Sequence, residues 1–475
     1  MTQQLAFHPQ LQEMEERLVP ASYRWHPTPL PGGGFSSLWS VPSNWEGKSA
    51  FIPGWTSQST SAPGTGDSVL FAGGGEYNLD CHVDAANGVT VNDVALSRAY
   101  TSQLVLDNPL TLSGGISTHD SAGGAIVGYS SGSTAARGVL NVTGRGTSLD
   151  WTGGHISDIT VNVTNSATMF VSTLTFTRNM SGSDIYIGDT SILGWFSGPV
   201  NVTSPSANSN IFIAPGVIFS ISANQTWGMT TPISPAYFAV HNAGIVKSTG
   251  TATIVGDYLT TGTTRLDSGS LHISGLAEQT AGVVDLRNDS TLKVSNPTSV
   301  PGVLGIRSGT IRGQGRVDGH LVLGNDPAVG PQLPTSALIS PGYDSGPPAT
   351  PGMPAPQSLV GTLTITGKFQ MFNGSMAIDV LENGDYDNVI VQGEYAALSG
   401  GLVIHNSLAY KPFQTLNLAF LTATSFVGDF TDKYFTTTSW YDPATFSTYG
   451  WKFVKTATTY NFSSFVSKVM GPPNP

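Results

Sequence analysis

The chain has 475 residues, of which 20 are Lys or Arg and 31 are Asp or Glu, so charged residues make up 11%, against roughly 25% in an ordinary soluble domain. Its 56 Gly and 30 Pro are costly inside helices and exclude a largely helical fold, while 39% apolar residues exclude the usual disordered composition. A net charge of −11 leaves no diffuse basic surface for phosphates, so nucleic acid is not an expected partner.

A single cysteine, Cys81, cannot form an intrachain disulfide, so stability must come from core and backbone pairing. No stretch approaches the roughly 20 apolar residues of a membrane helix, and the first 30 residues lack a basic segment followed by an apolar one, so neither membrane insertion nor a standard signal peptide is expected.

Residues 1–33 read as a leader, with a short helix over Leu11 to Leu18 and a linker. Residues 34–324 read as a β-solenoid whose first part, rich in Pro, Gly, Ser and Trp (Trp39, Trp45, Trp55), is a capping segment. From about residue 76 onward, short Val/Ile/Leu/Thr runs are separated by Gly, Ser, Asn and Asp, the pattern of many short strands. No helical stretch intervenes, which disfavours an α/β layer fold.

The organising feature is an internal repeat. Gly262, Gly282 and Gly302 lie 20 residues apart, as do Leu266, Leu286 and Ile306, with Val246 extending the second column backward. A second short strand follows each: Leu271-His272-Ile273, Leu292-Lys293-Val294 and Ile311-Arg312. A period near 20 fits coils stacked at about 4.7–4.9 Å; a propeller blade needs about 40–45 residues and a leucine-rich repeat its own framework.

Residues 325–357 carry nine prolines, Pro327 to Pro356, and are expected to leave the solenoid as an excursion, because proline has no ladder donor. Residues 358–475 read as further strands, around Gly361–Ile365, Ala377–Val380, Asn388–Val391, Leu402–Ile404 and Leu416–Leu418. A strand pair over Trp451 to Phe465 then forms a β-rich cap, expected because a bare solenoid end would recruit other chains.

Alternation turns Lys247, Asp267, Arg287 and Arg307 outward as one surface column, with Arg265 beside Asp285. Such a column is either a solvated ion-pair ladder, each exposed pair contributing ~0–1 kcal/mol, or a carbohydrate-binding or lyase groove. A second outward column, His272, Lys293 and Arg312, is cationic on an acidic protein and suits an acidic glycan. Asp379, Asp385 and Asp387, with Glu382 nearby, could offer oxygen ligands to calcium, although Asp-x-Asp beside Gly is also ordinary turn chemistry; no other cofactor is expected. The nine histidines show no HxH or HExxH spacing, and no Gly-x-Ser-x-Gly elbow or phosphate loop occurs, so no catalytic residue is assigned. Cys81 and His82 are adjacent on a strand and face opposite sides, which makes Cys81 a buried, inert thiol.

The segments Ser308-Gly309-Thr310-Ile311-Arg312-Gly313-Gln314-Gly315, Leu321-Val322-Leu323-Gly324, Ile339-Ser340-Pro341-Gly342 and Gly361-Thr362-Leu363-Thr364-Ile365 resemble the passenger-type β-helix repeats of bacterial autotransporters and related adhesins. Asp385-Tyr386-Asp387-Asn388-Val389-Ile390-Val391 and Gly400-Gly401-Leu402-Val403-Ile404 continue the likeness, which covers about residues 240–430. It implies a right-handed parallel β-helix displayed outside the cell. Near the start, Met14-Glu15-Glu16-Arg17-Leu18-Val19-Pro20-Ala21, Asn44-Trp45 and Pro63 to Phe71 resemble planctomycete surface or secreted proteins. The sequence departs from a complete autotransporter in that no terminal membrane barrel of alternating strands follows.

The expected function is therefore an extracellular or cell-surface structural or adhesive β-solenoid, a subunit of a fibre or envelope layer that self-associates or contacts surface polysaccharide. The alternatives are a carbohydrate-active β-helix enzyme (lyase or hydrolase) and a passive glycan-binding module.

Overall fold

A computed structural model describes residues 21–48, 54–55, 58–120, 122–128, 137–172, 178–203, 208–222, 224–229, 238–296, 301–325, 336–342, 360–381, 384–406, 417–435, 440–442 and 447–468. The expected helix over Leu11 to Leu18 lies outside these residues. Among them, helix is confined to two single turns, Pro42–Asn44 and Gly75–Tyr77, and nearly everything else regular is β-strand. The fold is a parallel β-helix. The chain divides into two units, Met1–Ser220 with Gly228–Phe238, and Ile221–Trp227 with Ala239–Pro475.

In the first unit each coil contributes strands to three parallel ladders. One begins Ser68–Phe71, Asp93–Leu96, Ile116–His119, Ser148–Trp151, Thr168–Val171 and Ile192–Trp195. The second runs Cys81–His82, Gln103–Leu106, Ala125–Gly128, Gly154–Ser157, Arg178–Ser181 and Val200–Val202. The third runs Val89–Val91, Leu110–Leu112, Gly138–Thr143, Ile159–Thr164, Asp184–Ile187 and Ser209–Ile213.

The two-residue period of a strand makes the third ladder's pattern direct. Leu140, Val161, Ile185 and Ile211 stack inward as one buried column, and Val142, Val163, Ile187 and Ile213 as a second. Between them Asn141, Asn162, Tyr186 and Phe212 stack outward. Asn162 donates to Asn141 Oδ1 at 2.9 Å, and the Tyr186 and Phe212 rings lie 4.4 Å apart and nearly parallel.

The capping segment is aromatic. Ser22–Trp25 pairs antiparallel with Trp45–Lys48 while pairing parallel with Ser68–Phe71. Trp25, Trp39, Trp45 and Phe71 are buried against one another, with Trp39–Trp45 centroids at 4.7 Å and Trp25–Trp45 at 5.0 Å. The indole N–H groups of Trp25, Trp39 and Trp45 donate to the backbone carbonyls of Leu79, Pro63 and Trp39 respectively, so the apolar bulk is buried without orphaning its polar edge.

The second unit repeats the three-ladder plan. Its first ladder takes Ile245–Ser248, Thr263–Leu266, the first halves of Val283–Ser295 and Gly309–Asp318, then Ala337–Pro341, Gly374–Val380, Gly400–Asn406 and Asp432–Phe435. The strands expected near Gly361, Ala377, Asn388, Leu402 and Leu416 are all present. The end is closed by Thr459–Lys468, antiparallel to both Asn417–Ala423 and Ser447–Lys455.

The even 20-residue period does not hold. Val246 pairs with Thr264, Thr264 with Val284, Val284 with Ile311 and Ile311 with Ile339, so successive coils take 18, 20, 27 and 28 residues. Leu266 and Leu286 are register partners as expected, but Leu286 is followed by Gly313. Gly313 has φ +107°, and a Cβ there would lie 2.0 Å from the Leu286 carbonyl oxygen, so no apolar side chain continues that column. Ile306 stands on a different ladder, between Gln279 and Leu323. The longer coil moved it there.

The proline-rich stretch needs a second correction. Ala337–Pro341 is a ladder strand, with Ala337 and Ile339 buried, because Thr335 to Ser340 is free of proline and alternates. Residues 326–335 and 343–359 lie outside the described residues.

Candidate functional site

The site with the most chemistry is an outward face of the second unit's first ladder. Register places Lys247 beside Arg265, Arg265 beside Asp285, and Asp285 beside Arg312. The expected column of Lys247, Asp267, Arg287 and Arg307 is therefore redrawn. Asp267 and Arg287 sit two residues further along their strands, at the corner, and Arg307 lies on another ladder, where it pairs with Glu278 at 2.6 Å. The physical reason is unequal coils: the 18-residue step from Val246 to Thr264 sets Lys247 beside Arg265 instead of Asp267, and the 27-residue step from Val284 to Ile311 displaces Arg307.

Two carboxylates organise this face. Asp267 receives the Arg265 Nε at 2.5 Å and lies 3.2 Å from the Lys247 ammonium. Burial works against its charge, but these hydrogen bonds outweigh it and hold its carboxyl below the usual range. Asp285 is only 3% exposed at its side chain. Arg287, from the same strand, donates to its Oδ2 from Nε at 3.0 Å and Nη2 at 2.7 Å. Arg312, one coil on, approaches the same oxygen at 3.6 Å, an ion pair beyond hydrogen-bond reach. Asp285 Oδ1 and Arg312 Nε are buried without hydrogen-bond partners among the described residues. At the corner, Asn288 and Asp289 adopt positive φ, 50° and 57°, a conformation these side chains tolerate better than most, and Asn288 Nδ2 donates to the Asp267 carbonyl at 2.8 Å.

The second expected column is likewise only partly assembled. His272 and Lys293 are register partners, but the next residue in line is Asp318, while Arg312 belongs with Asp285. The His272 Nε2 and the Ser295 hydroxyl are 2.7 Å apart. Burial first, then the Lys293 charge, lowers the His272 pKa, with Asp318 opposing.

Of the carboxylates considered for calcium, that of Asp387 is bonded to backbone, and Glu382 lies outside the described residues. Asp387 is fully buried and accepts from the Gly361 N–H at 2.8 Å and the Asp379 N–H at 3.0 Å. The Asp385 carbonyl accepts from Leu381 N–H at 2.8 Å. Among the described residues no group of three or more His, Cys, Asp or Glu is placed to hold a metal. Cys81 is buried, which pushes its thiol well up, with Asp84 and Asp80 adding to the effect; His82 faces out to Asp107 at 2.9 Å.

Among the buried polar residues that the sequence does not single out are Arg178 and His119, both in the first unit. Arg178 is wholly buried, and its Nη2 donates to the carbonyls of Ser197 and Pro199 at 2.9 and 3.2 Å, while Nε and Nη1 have no hydrogen-bond partner among the described residues. Burial lowers its pKa to about 10. His119 is wholly buried with Nε2 donating to the His155 carbonyl at 3.1 Å, and burial lowers its pKa to about 4. The signal for Arg178 was present: it shares strand parity with Met180, an inward residue.

Comparison of the sequence with protein-family models and with curated proteins gives no match. Among the described residues no helix is long and apolar enough to cross a membrane.

Proposed function

We propose that the protein is an extracellular or cell-surface structural or adhesive β-solenoid, a subunit of a fibre or envelope layer. The observation that carries this reading is that five cations of the second unit pair with carboxylates, Arg265 with Asp267 and Arg287 with Asp285 within a coil, and Lys247 with Asp267, Arg312 with Asp285 and Arg307 with Glu278 across coils. Such pairing holds a scaffold's surface in register. A glycoside hydrolase needs a carboxylic acid raised toward neutrality opposite a second carboxylate, whereas Asp267 is held ionised. The passenger-like repeats around Ser308–Gly315 and Gly361–Ile365 support a place outside the cell. An antiparallel strand caps one ladder at each end, Trp45–Lys48 on Ser22–Trp25 and Thr459–Lys468 on Asn417–Ala423, which disfavours growth of those ladders by strand addition and supports lateral contact as the mode of assembly.

Immunogold labelling of intact cells, with electron microscopy of the purified protein, tests the reading. Surface label and laterally associated particles are expected, with no depolymerisation of acidic or neutral polysaccharides. Label confined to the cell interior, or turnover of a polysaccharide, would overturn it.

A further inference from the structure

The face around Asp285 carries more positive than negative charge. Lys247, Arg265, Arg287 and Arg312 gather around Asp267 and Asp285, with Asp289 at the corner, on a protein whose net charge is −11. Cations gathered against that overall balance mark a local attraction for anions.

The cations are also held in place from beneath. Asp285, almost fully buried, fixes Arg287 through two donors and draws Arg312 without a hydrogen bond. Arg265 commits its Nε to Asp267. A guanidinium carries five donors and binds carboxylates and sulfates through paired N–H groups, so Arg265 and Arg312 retain donors at the surface, where their side chains are 37% and 27% exposed. From Lys247 to Arg312 the row spans three coil steps, about 14 Å, the scale of a few monomers of a linear chain.

We propose that this face binds an acidic polysaccharide laid along the coil axis, with its carboxylate or sulfate groups on Lys247, Arg265 and Arg312, of which Asp267 positions the first two and Asp285 the third. Charge complementarity and a linear row favour an extended polyanion over a small ion. The choice of polysaccharide over another polyanion rests on the cell-surface reading; the existence of the cationic row does not.

The test measures binding of the full chain to uronate and sulfated oligosaccharides and to duplex DNA of equal length by titration calorimetry at low and high salt. The variants are the R265A/R312A double, K247Q, and R307A, which alters a cation on another ladder. Wild type and R307A should bind the oligosaccharides alike, with affinity falling as salt rises. The double variant should lose about tenfold or more, a change of about 1.4 kcal/mol, and K247Q, which leaves both arginines in place, a smaller factor. Where the double variant fails to fold by circular dichroism, K247Q against R307A decides. No oligosaccharide binding at low salt, or binding unchanged in both R265A/R312A and K247Q, overturns the proposal; tighter binding to DNA overturns the choice of polysaccharide. Cell-surface labelling is unaffected by any of these outcomes, so the two readings fail separately.

Discussion

Arg312 stands over Asp285 in register from the next coil, 3.6 Å from a carboxylate that Arg287 already grips from its own strand. Asp285 is thus a buried anchor shared by two cations. Asp285→Asn keeps the volume and removes the charge, and should lower stability by about 1–3 kcal/mol. A urea melt measures it; an unchanged midpoint would mean that the arginines are held by something else.

Leu266 and Leu286 are fully buried register partners. Leu286→Ala should cost about 2–5 kcal/mol. Because the two side chains stack on adjacent coils, the double-mutant cycle with Leu266→Ala should show a coupling of about 0.5 kcal/mol or more. Strict additivity would contradict the stacking.

Arg287 and Arg307 lie on different ladders with different partners, Asp285 and Glu278. Replacing both by Ala should leave the fold intact, with Arg307→Ala costing no more than about 1 kcal/mol and the two effects additive within about 0.5 kcal/mol. Thermal melts of the two singles and the double check this, and a larger coupling would place the two arginines together after all.

Arg178 is a buried cation that donates from Nη2 to the carbonyls of Ser197 and Pro199, while its Nε and Nη1 have no hydrogen-bond partner among the described residues. Replacing poorly satisfied buried charge by an apolar side chain of similar length is often neutral or stabilising. Arg178→Met should therefore leave the denaturation midpoint unchanged or raised; a loss of several kcal/mol would reveal that the guanidinium is better satisfied than its contacts show.

His119 supplies a pH dependence. Its pKa is about 4 in the fold and about 6.5 in an unfolded chain. Above pH 6.5 both states are neutral there and its contribution is fully present. As the pH falls from 6.5 to 4 the unfolded chain takes up a proton that the fold refuses, so stability drops, by about 3 kcal/mol in total, and levels off below pH 4. His119→Gln should flatten that part of the melting profile measured from pH 4 to 7, and a profile identical to wild type would exclude His119 as the source.

Much of the architecture was legible in the sequence because strand alternation is local: Leu266 and Leu286 point inward, Arg265 meets Asp285, and the runs at Asn388–Val391 and Leu402–Ile404 are strands. The apolar parity of a short run decides which residues face the core without knowledge of any other coil. Which residue stacks on which is another matter, because it depends on how many residues each turn absorbs, and a turn leaves no periodic trace. Seven residues added to one coil carried Ile306 to another ladder and set Arg312 over Asp285. The proline-free residues Ala337 to Ser340 found their partners at Gly309 to Arg312 only through the tertiary pairing. The charges of the candidate face were therefore readable one strand at a time, while their grouping around a buried carboxylate was settled by register, which the backbone hydrogen bonds between coils enforce.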